Sequence, residues 1–214
     1  MRGFFLAALD YFAAAFVTLA VVVEPFGLAP IFLAATRALA RGTRASIAAR
    51  ACLFAFLILA GAALIGERLL AALGISLAAF RIAGGLLLFS IASEMVLGLR
   101  IARDASAAKQ ALEEHVHDPA AFPLAIPLMA GPGAIAATLL LAGRAQGDLG
   151  LLALLIAAIA LVALICLGAC LAATRIEAAL GASGALVLAK LLGVLLAALA
   201  VQYVVDGARA LLTG

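Results

Sequence analysis

Charged residues are scarce in this sequence: Asp, Glu, Lys and Arg make up 12% of its 214 residues, against roughly 25% in soluble domains. Tryptophan is absent, 68% of the residues are hydrophobic, and the mean hydropathy is +1.31. So few charged side chains cannot supply the polar surface that a water-soluble domain of this length requires. The composition therefore excludes a soluble globular protein and indicates a chain whose main solvent is the lipid bilayer.

Residues that carry catalytic or metal chemistry are also few. The three cysteines, Cys52, Cys166 and Cys170, lie inside apolar runs without the spacing of disulfide or zinc sites, so we expect them to be packing residues. His115 and His117 lie in an acidic stretch that favours a solvated linker over a metal site. The sequence contains no H-E-x-x-H motif and no evident nucleophile and base pair. We expect no enzymatic activity, no metal and no cofactor.

Long apolar runs dominate what is present. A membrane-spanning helix needs about 20 mainly apolar residues, and clusters of charge or glycine separate six such windows. The N-terminal MRGFFLAAL resembles a signal peptide, but Asp10 interrupts it, which favours an uncleaved first span. The predicted spans cover residues 9–35, 47–66, 75–98, 120–143, 150–172 and 183–208.

The basic residues lie mainly in the short loops between spans and form no domain-sized patch, so the net charge of +3 does not indicate a nucleic-acid partner. By the positive-inside rule, the more basic set of loops is cytoplasmic, which predicts that both termini face outward. The odd-numbered loops carry Arg37, Arg41, Arg44, Arg50, Arg100, Arg103, Lys109 and Arg175. The opposite side carries Arg2, Arg68, Arg144 and Arg209.

Two segments of the sequence recur. Residues 25–36 (PFGLAPIFLAAT) resemble residues 127–138 (PLMAGPGAIAAT), and residues 80–99 resemble residues 189–208, with Arg81 matching Lys190. Each copy contains three predicted spans, so the second copy enters the membrane from the opposite side. We therefore predict an all-α membrane protein of six helices in two inverted-topology repeats. The predicted parts are the first repeat (1–99), a cytoplasmic connecting loop (100–118) and the second repeat (119–214).

Proline and glycine interrupt spans one and four at matching places. Pro25 and Pro30 lie in span one, and Pro127 and Pro132 lie in span four beside glycines. Proline removes a backbone donor and clashes with the preceding helical turn, so we expect both spans to be broken there. Freed backbone groups cannot face lipid. The breaks are expected either to form a midplane site for a zwitterion between half-helix ends or merely to kink the helices.

Several polar residues near the breaks are candidates for support or coupling. Glu24 directly precedes the first break and should face the interior, where it either takes part in binding or proton coupling or only caps the new half-helix. Thr36 and Thr138 hydrogen-bond either freed carbonyls or their own helices. Arg81 and Lys190 either brace the broken segments or extend to the membrane interface.

Four segments of the sequence resemble signatures of the MarC family of bacterial membrane proteins: EPFGLAPIF, FRIAGGLLLFSIASEMV, FPLAIPLMAGPGAIAAT and GVLLAALAVQYVVDG. The resemblance covers essentially the whole chain. The family includes SnatA-type transporters, so it implies handling of glycine, alanine, serine or threonine, with export as one direction. Glu24 departs from the Asp or Asn usual before the first proline. It therefore leaves the exact solute undetermined.

From the breaks and this resemblance we expect a secondary transporter of small neutral amino acids in the bacterial inner membrane, working by alternating access. A coupling proton or ion and the oligomeric state are left open. A channel-like passive facilitator and a non-transporting scaffold or lipid-handling protein are the alternatives. The expected substrate-binding residues are Glu24, Pro25, Phe26, Gly27, Pro30, Pro127, Leu128, Met129, Ala130, Gly131, Pro132 and Gly133.

Overall fold

A computed structural model describes residues 2–36, 39–99 and 129–213 of the chain, and no strand occurs among them. Five segments in these ranges are long and apolar enough to cross a membrane. They are Leu6–Leu33, Gly42–Ala72, Leu77–Leu97, Leu149–Leu171 and Ser183–Leu212. The prediction of an all-α, multi-pass membrane protein is confirmed.

The predicted fourth span, residues 120–143, begins outside the described residues. Its described residues are 129–143, and the helix that they begin, Pro132–Ala145, has 14 residues, fewer than the ~20 that cross a bilayer. The six-span count, the inverted repeats, their boundaries at residues 99 and 119, and the connecting loop therefore stay predictions.

The described residues form seven helices. They are α1 (Arg2–Val23), α2 (Pro25–Thr36), α3 (Arg41–Ala72), α4 (Leu77–Leu97), α5 (Pro132–Ala145), α6 (Leu149–Leu171) and α7 (Ala173–Thr213). Helix α3 extends beyond the predicted span 47–66 because its charged ends continue the helix past the apolar stretch. The backbone of α7 is non-helical at Gly181 (φ 59°, ψ 179°), just before the predicted sixth span.

Local sequence explains where two of the spans begin. The Ser76 side chain accepts a hydrogen bond from the Ala79 N–H at 3.1 Å and caps α4. The Asp148 carboxylate accepts from the N–H groups of Gly150 (2.7 Å) and Leu151 (3.2 Å) and caps α6. These caps satisfy amide donors that a helix start otherwise leaves without intrahelical partners.

The outer surface is rich in large apolar side chains, whereas the interior contains many small ones. Leu164 and Val194 are 63% and 58% exposed, while Ala15, Ala137 and Ala158 are fully buried. Lipid tails are as apolar as leucine, so helix association in a bilayer depends on close packing of small residues. The three cysteines are buried free thiols within this interior, as the sequence predicted.

Helices α4 and α7 approach each other most closely, along a line of glycines that we call the α4–α7 seam (Gly85, Gly193 and Gly207). A Cβ atom at these three positions would lie 2.8, 3.1 and 2.8 Å from the carbonyl oxygens of residues 200, 92 and 78, respectively. Any side chain there would collide with the backbone of the neighbouring helix. The seam therefore joins α4, which ends the predicted first repeat, to α7, which ends the predicted second repeat.

The remaining helix contacts form a regular pattern. Besides α4 with α7, helix α3 packs against α6; α2 contacts α6 and α7, and α5 contacts α3 and α4. Helix α1 packs against α6 and α5. Each of the short helices α2 and α5 thus contacts at least two of the long ones.

Candidate functional site

The first span is interrupted at Glu24, the only residue between α1 and α2. Its φ of 55° is in the left-handed region, which costs a residue other than glycine about 1–3 kcal/mol. The Glu24 N–H donates to the Ala20 carbonyl (3.0 Å), and the Glu24 carbonyl accepts from Gly27 N (3.0 Å) and Leu28 N (3.1 Å). One residue therefore ends α1 and starts α2, as the position of the prolines predicted.

The side chain of Glu24 folds back over the first turn of α2. A Cβ atom on Gly27 would lie 2.9 Å from Glu24 Cδ and 3.1 Å from Oε1, so Gly27 leaves the space that the carboxyl group occupies. Glu24 is only 6% exposed. The carboxyl group thus lies at a helix N-terminus, where the helix dipole stabilises negative charge. The sequence indicated Gly27 as a site residue but not this reason for it.

The second break has a different local structure. Gly131 precedes α5 with an extended backbone (φ −75°, ψ 174°), and Pro132 occupies the first helical position, where its missing N–H is harmless. Met129, Ala130 and Gly131 are buried. The sequence therefore correctly indicated a helix start at this proline.

Gly133 brings the two breaks together. A Cβ atom on Gly133 would collide with Ile91 Cδ1 of α4 and would lie 3.5 Å from Val22 Cγ1, near the end of α1. Val23, which directly precedes Glu24, and Met129, which lies two residues before Gly131, line the same small apolar pocket. The start of α5 and the end of α1 are therefore neighbours in the protein interior.

The pocket between the breaks is closed in this conformation. Its volume is about 10 Å³, which is close to the space that one water molecule needs. Around Val23 and Met129 the lining is completed by apolar side chains and one thiol, including those of Leu19, Leu59 and Cys166. A solute larger than water does not fit into this pocket.

The remaining predicted binding residues differ in their placement. Pro25 and Gly27 are buried and Pro30 is half-buried, whereas Phe26 is 44% exposed and Pro132 is also exposed. The outward positions of the last two show that the predicted stretch does not face the interior throughout. Pro127 and Leu128 lie outside the described residues.

Thr36 and Thr138 have equivalent structural roles. The Thr36 hydroxyl donates to the Phe32 carbonyl, and the Thr138 hydroxyl donates to the Ala134 carbonyl, each at 2.8 Å. Both threonines are fully buried. Of the two alternatives that the sequence left open, the structure shows bonding to the residue's own helix.

Arg81 and Lys190 lie at opposite ends of the α4–α7 seam. A Cβ atom on Gly207 would lie 3.0 Å from Arg81 Cβ, and a Cβ atom on Gly98 would lie 3.7 Å from Lys190 Cε. Each cationic stem thus lies beside a glycine on the neighbouring helix. Bracing of the broken segments by these two residues stays a prediction.

A polar cluster lies where α5 ends, and the sequence did not predict it as a unit. Tyr11 Oη donates to the Leu141 carbonyl at 2.8 Å. The Arg144 guanidinium lies 4.8 Å from the ring centroid of buried Tyr203 and 3.8 Å from the Asp206 carboxylate. The cluster connects the last turn of α5 to α1 and α7. Arg144 had been identified only as a loop charge, since sequence alone does not show which helix ends meet.

The described residues contain no group of three or more His, Cys, Asp or Glu side chains that could hold a metal ion. The chemistry available at the breaks is therefore that of one carboxyl group, helix N-termini and close-packed apolar side chains.

Comparisons with known proteins agree with this architecture. The family model described as MarC family integral membrane protein matches residues 9–212. A UPF0056 membrane protein of Archaeoglobus fulgidus is 39% identical over 201 residues, covering 93% of this chain and 92% of the relative. The UPF0056 membrane protein YhcE of Escherichia coli is 34% identical over 200 residues, covering 93% and 92%, respectively. No solved structure matches. The chain therefore belongs to the MarC family of integral membrane proteins.

Proposed function

We propose that this protein is a secondary transporter of small neutral amino acids that works by alternating access around the two breaks. The observation that carries the proposal is the buried helix restart at Glu24, which lies beside the start of α5 through the contact of Val22 with Gly133. Interrupted helices whose ends meet inside the bilayer are the usual construction of substrate sites in secondary transporters.

The pattern of helix contacts supports an inverted repeat. Exchanging α2 with α5, α3 with α6 and α4 with α7 maps the larger contacts of these helices onto one another: α3–α6 and α4–α7 map onto themselves, and α2–α6 and α2–α7 map onto α5–α3 and α5–α4. The seam behaves likewise, because Gly207 lies beside Arg81 and Gly98 lies beside Lys190. Such reciprocity is expected of two copies related by a two-fold axis.

The ends of the two short helices offer complementary groups for a zwitterion. The Glu24 carboxylate suits the ammonium group of an amino acid. The first-turn N–H groups of α5, at Gly133 and Ala134, have no partner within the helix and suit a carboxylate. The family resemblance supplies the substrate class of glycine, alanine, serine and threonine, while Glu24 is the candidate carrier of a coupling proton.

The closed pocket between the breaks favours alternating access over a channel. A continuous pore would leave more room than the ~10 Å³ beside Val23 and Met129. In the proposed cycle α5 moves away from α1 and α4 to admit substrate, and the polar cluster of Tyr11, Arg144 and Asp206 limits that movement. The proposed location is the bacterial inner membrane, with both termini outside.

Transport by purified protein in liposomes tests this function. We expect saturable uptake of labelled glycine, alanine or threonine that unlabelled substrate competes with and that responds to an imposed proton gradient. The Gly61→Val variant should retain this uptake, since a Cβ atom on Gly61 of α3 would meet nothing within 4 Å. Absence of saturable flux in folded protein would refute the proposal, and flux linear in concentration would favour the channel.

A further inference from the structure

A large cavity lies away from the breaks, at the end of the molecule where α3 and α7 begin. Its volume is about 640 Å³, and its walls come from α2, α3, α6 and α7. Its lining includes Arg44, Gly168, Leu171, Thr174 and Arg175. The cavity is thus assembled from residues distant in sequence.

The charged side chains among the described lining residues are both arginines. Arg44 comes from the first turns of α3, and its Nε donates to the Leu39 carbonyl at 2.9 Å, which fixes the side chain against the protein. Arg175 projects from the first turn of α7 and is exposed. Two guanidinium groups at one cavity favour a phosphate group, because each guanidinium can donate two parallel hydrogen bonds to phosphate oxygens.

The same lining disfavours the proposed transport substrate. A zwitterionic amino acid needs an acceptor for its ammonium group, and the described lining residues include no carboxylate. The cavity at the opposite end, about 400 Å³, contains Glu67 as well as Arg68 and so lacks this excess of positive charge. Among the described lining residues, guanidinium groups thus occur without a carboxylate in the first cavity and together with one in the second.

One wall of the cavity continues into the lipid-facing side of α6. Leu161, Leu164 and Leu171 are 38%, 63% and 57% exposed, and their spacing of three and seven residues places them on one helix face. Gly168 is exposed on the same part of α6, and a Cβ atom there would meet nothing within 4 Å. A phospholipid with its acyl chains along this face of α6 would therefore have its headgroup beside the two arginines.

We propose that this cavity binds the phosphate headgroup of an anionic phospholipid, with the acyl chains along the outer face of α6. Basic pockets between helix ends are the common form of such sites. Arg175 and Arg44 contact the phosphate, Thr174 adds a hydroxyl donor, and Gly168 leaves room for the glycerol. This binding does not depend on the proposed transport activity.

Native mass spectrometry of the delipidated protein with added phosphatidylglycerol or phosphatidylcholine tests the site. We expect phosphatidylglycerol to bind more tightly, Arg175→Gln to weaken it about fivefold, and Arg175→Lys to retain part of the affinity. Gly168→Phe should fill the cavity and abolish the preference, whereas Gly61→Phe, also in open space on a lipid-accessible helix, should preserve it.

Competition experiments identify the source of the anion. Equal binding of both lipids, or equal behaviour of Gly168→Phe and Gly61→Phe, would overturn the proposal. Binding of inorganic phosphate without retention of phosphatidylglycerol would assign the cavity to a soluble anion instead. Displacement of phosphatidylglycerol by millimolar glycine or threonine would assign it to the transport path.

Discussion

The two short helices α2 and α5 begin by different means. At the first, Glu24 takes a left-handed backbone conformation and places a carboxyl group on the new helix. At the second, Gly131 stays extended, and Gly133 instead provides close contact with Ile91 and Val22. The first break thus contributes a charged group, and the second contributes backbone and space. The two helix starts therefore differ in their chemistry.

Gly133→Val should have the largest effect, because the new side chain would occupy the space in which the start of α5 packs against α1 and α4. Its side chain would collide with Ile91 Cδ1 and approach Val22, and overpacking of this kind costs about 1–3 kcal/mol. We expect a lower melting temperature in detergent and loss of transport. Adding Ile91→Ala should restore part of the stability. Unchanged stability of the single variant would contradict the close contact.

Glu24→Gln tests whether the charge of the first break matters separately from its shape. Glutamine preserves the length of the side chain, so we expect a folded protein with transport reduced tenfold or more and without pH dependence. Proteoliposome uptake between pH 5.5 and 8 measures this effect. If uptake retains the wild-type pH profile, Glu24 is not the proton carrier.

Gly27→Ala tests the packing of the Glu24 carboxyl group on α2. The new methyl group would lie 2.9 Å from Glu24 Cδ and displace the carboxyl group, while alanine favours the helix by up to about 1 kcal/mol. In the Glu24→Ala background the substitution should stabilise the protein, because nothing remains to be displaced. A coupling energy of at least about 0.5 kcal/mol between the two positions is expected from thermal unfolding; additive effects would contradict the contact.

Thr36→Val and Thr138→Val should have the smallest effects and should match each other. Each hydroxyl bonds a carbonyl of its own helix at 2.8 Å, and such bonds add little to a helix. We expect both variants to stay within about 0.5 kcal/mol of the wild-type stability. A large difference in stability between the two variants would show that one threonine also stabilises the helix break on its own helix.

The sequence predicted the membrane class and most helix positions because apolar length is a local property. The prolines and glycines likewise located both helix starts, at Pro25 and Pro132. Contacts between distant residues could not be derived in this way. The approach of Gly133 to Ile91 and the placement of Arg144 over Tyr203 depend on how helices pack, and a chain this rich in alanine and leucine has little periodicity to show which faces meet.

The local bonding of Glu24 has a consequence for biogenesis. Its N–H and carbonyl find their partners within four residues, at Ala20, Gly27 and Leu28, and the surrounding apolar segment Leu6–Leu33 is continuous. The insertion machinery therefore receives a single hydrophobic segment whose bend can form before any later helix is synthesised. The Glu24 carboxyl group also lies on the first turn of α2 within this segment, so its charge is already held at a helix N-terminus before the later helices cover it.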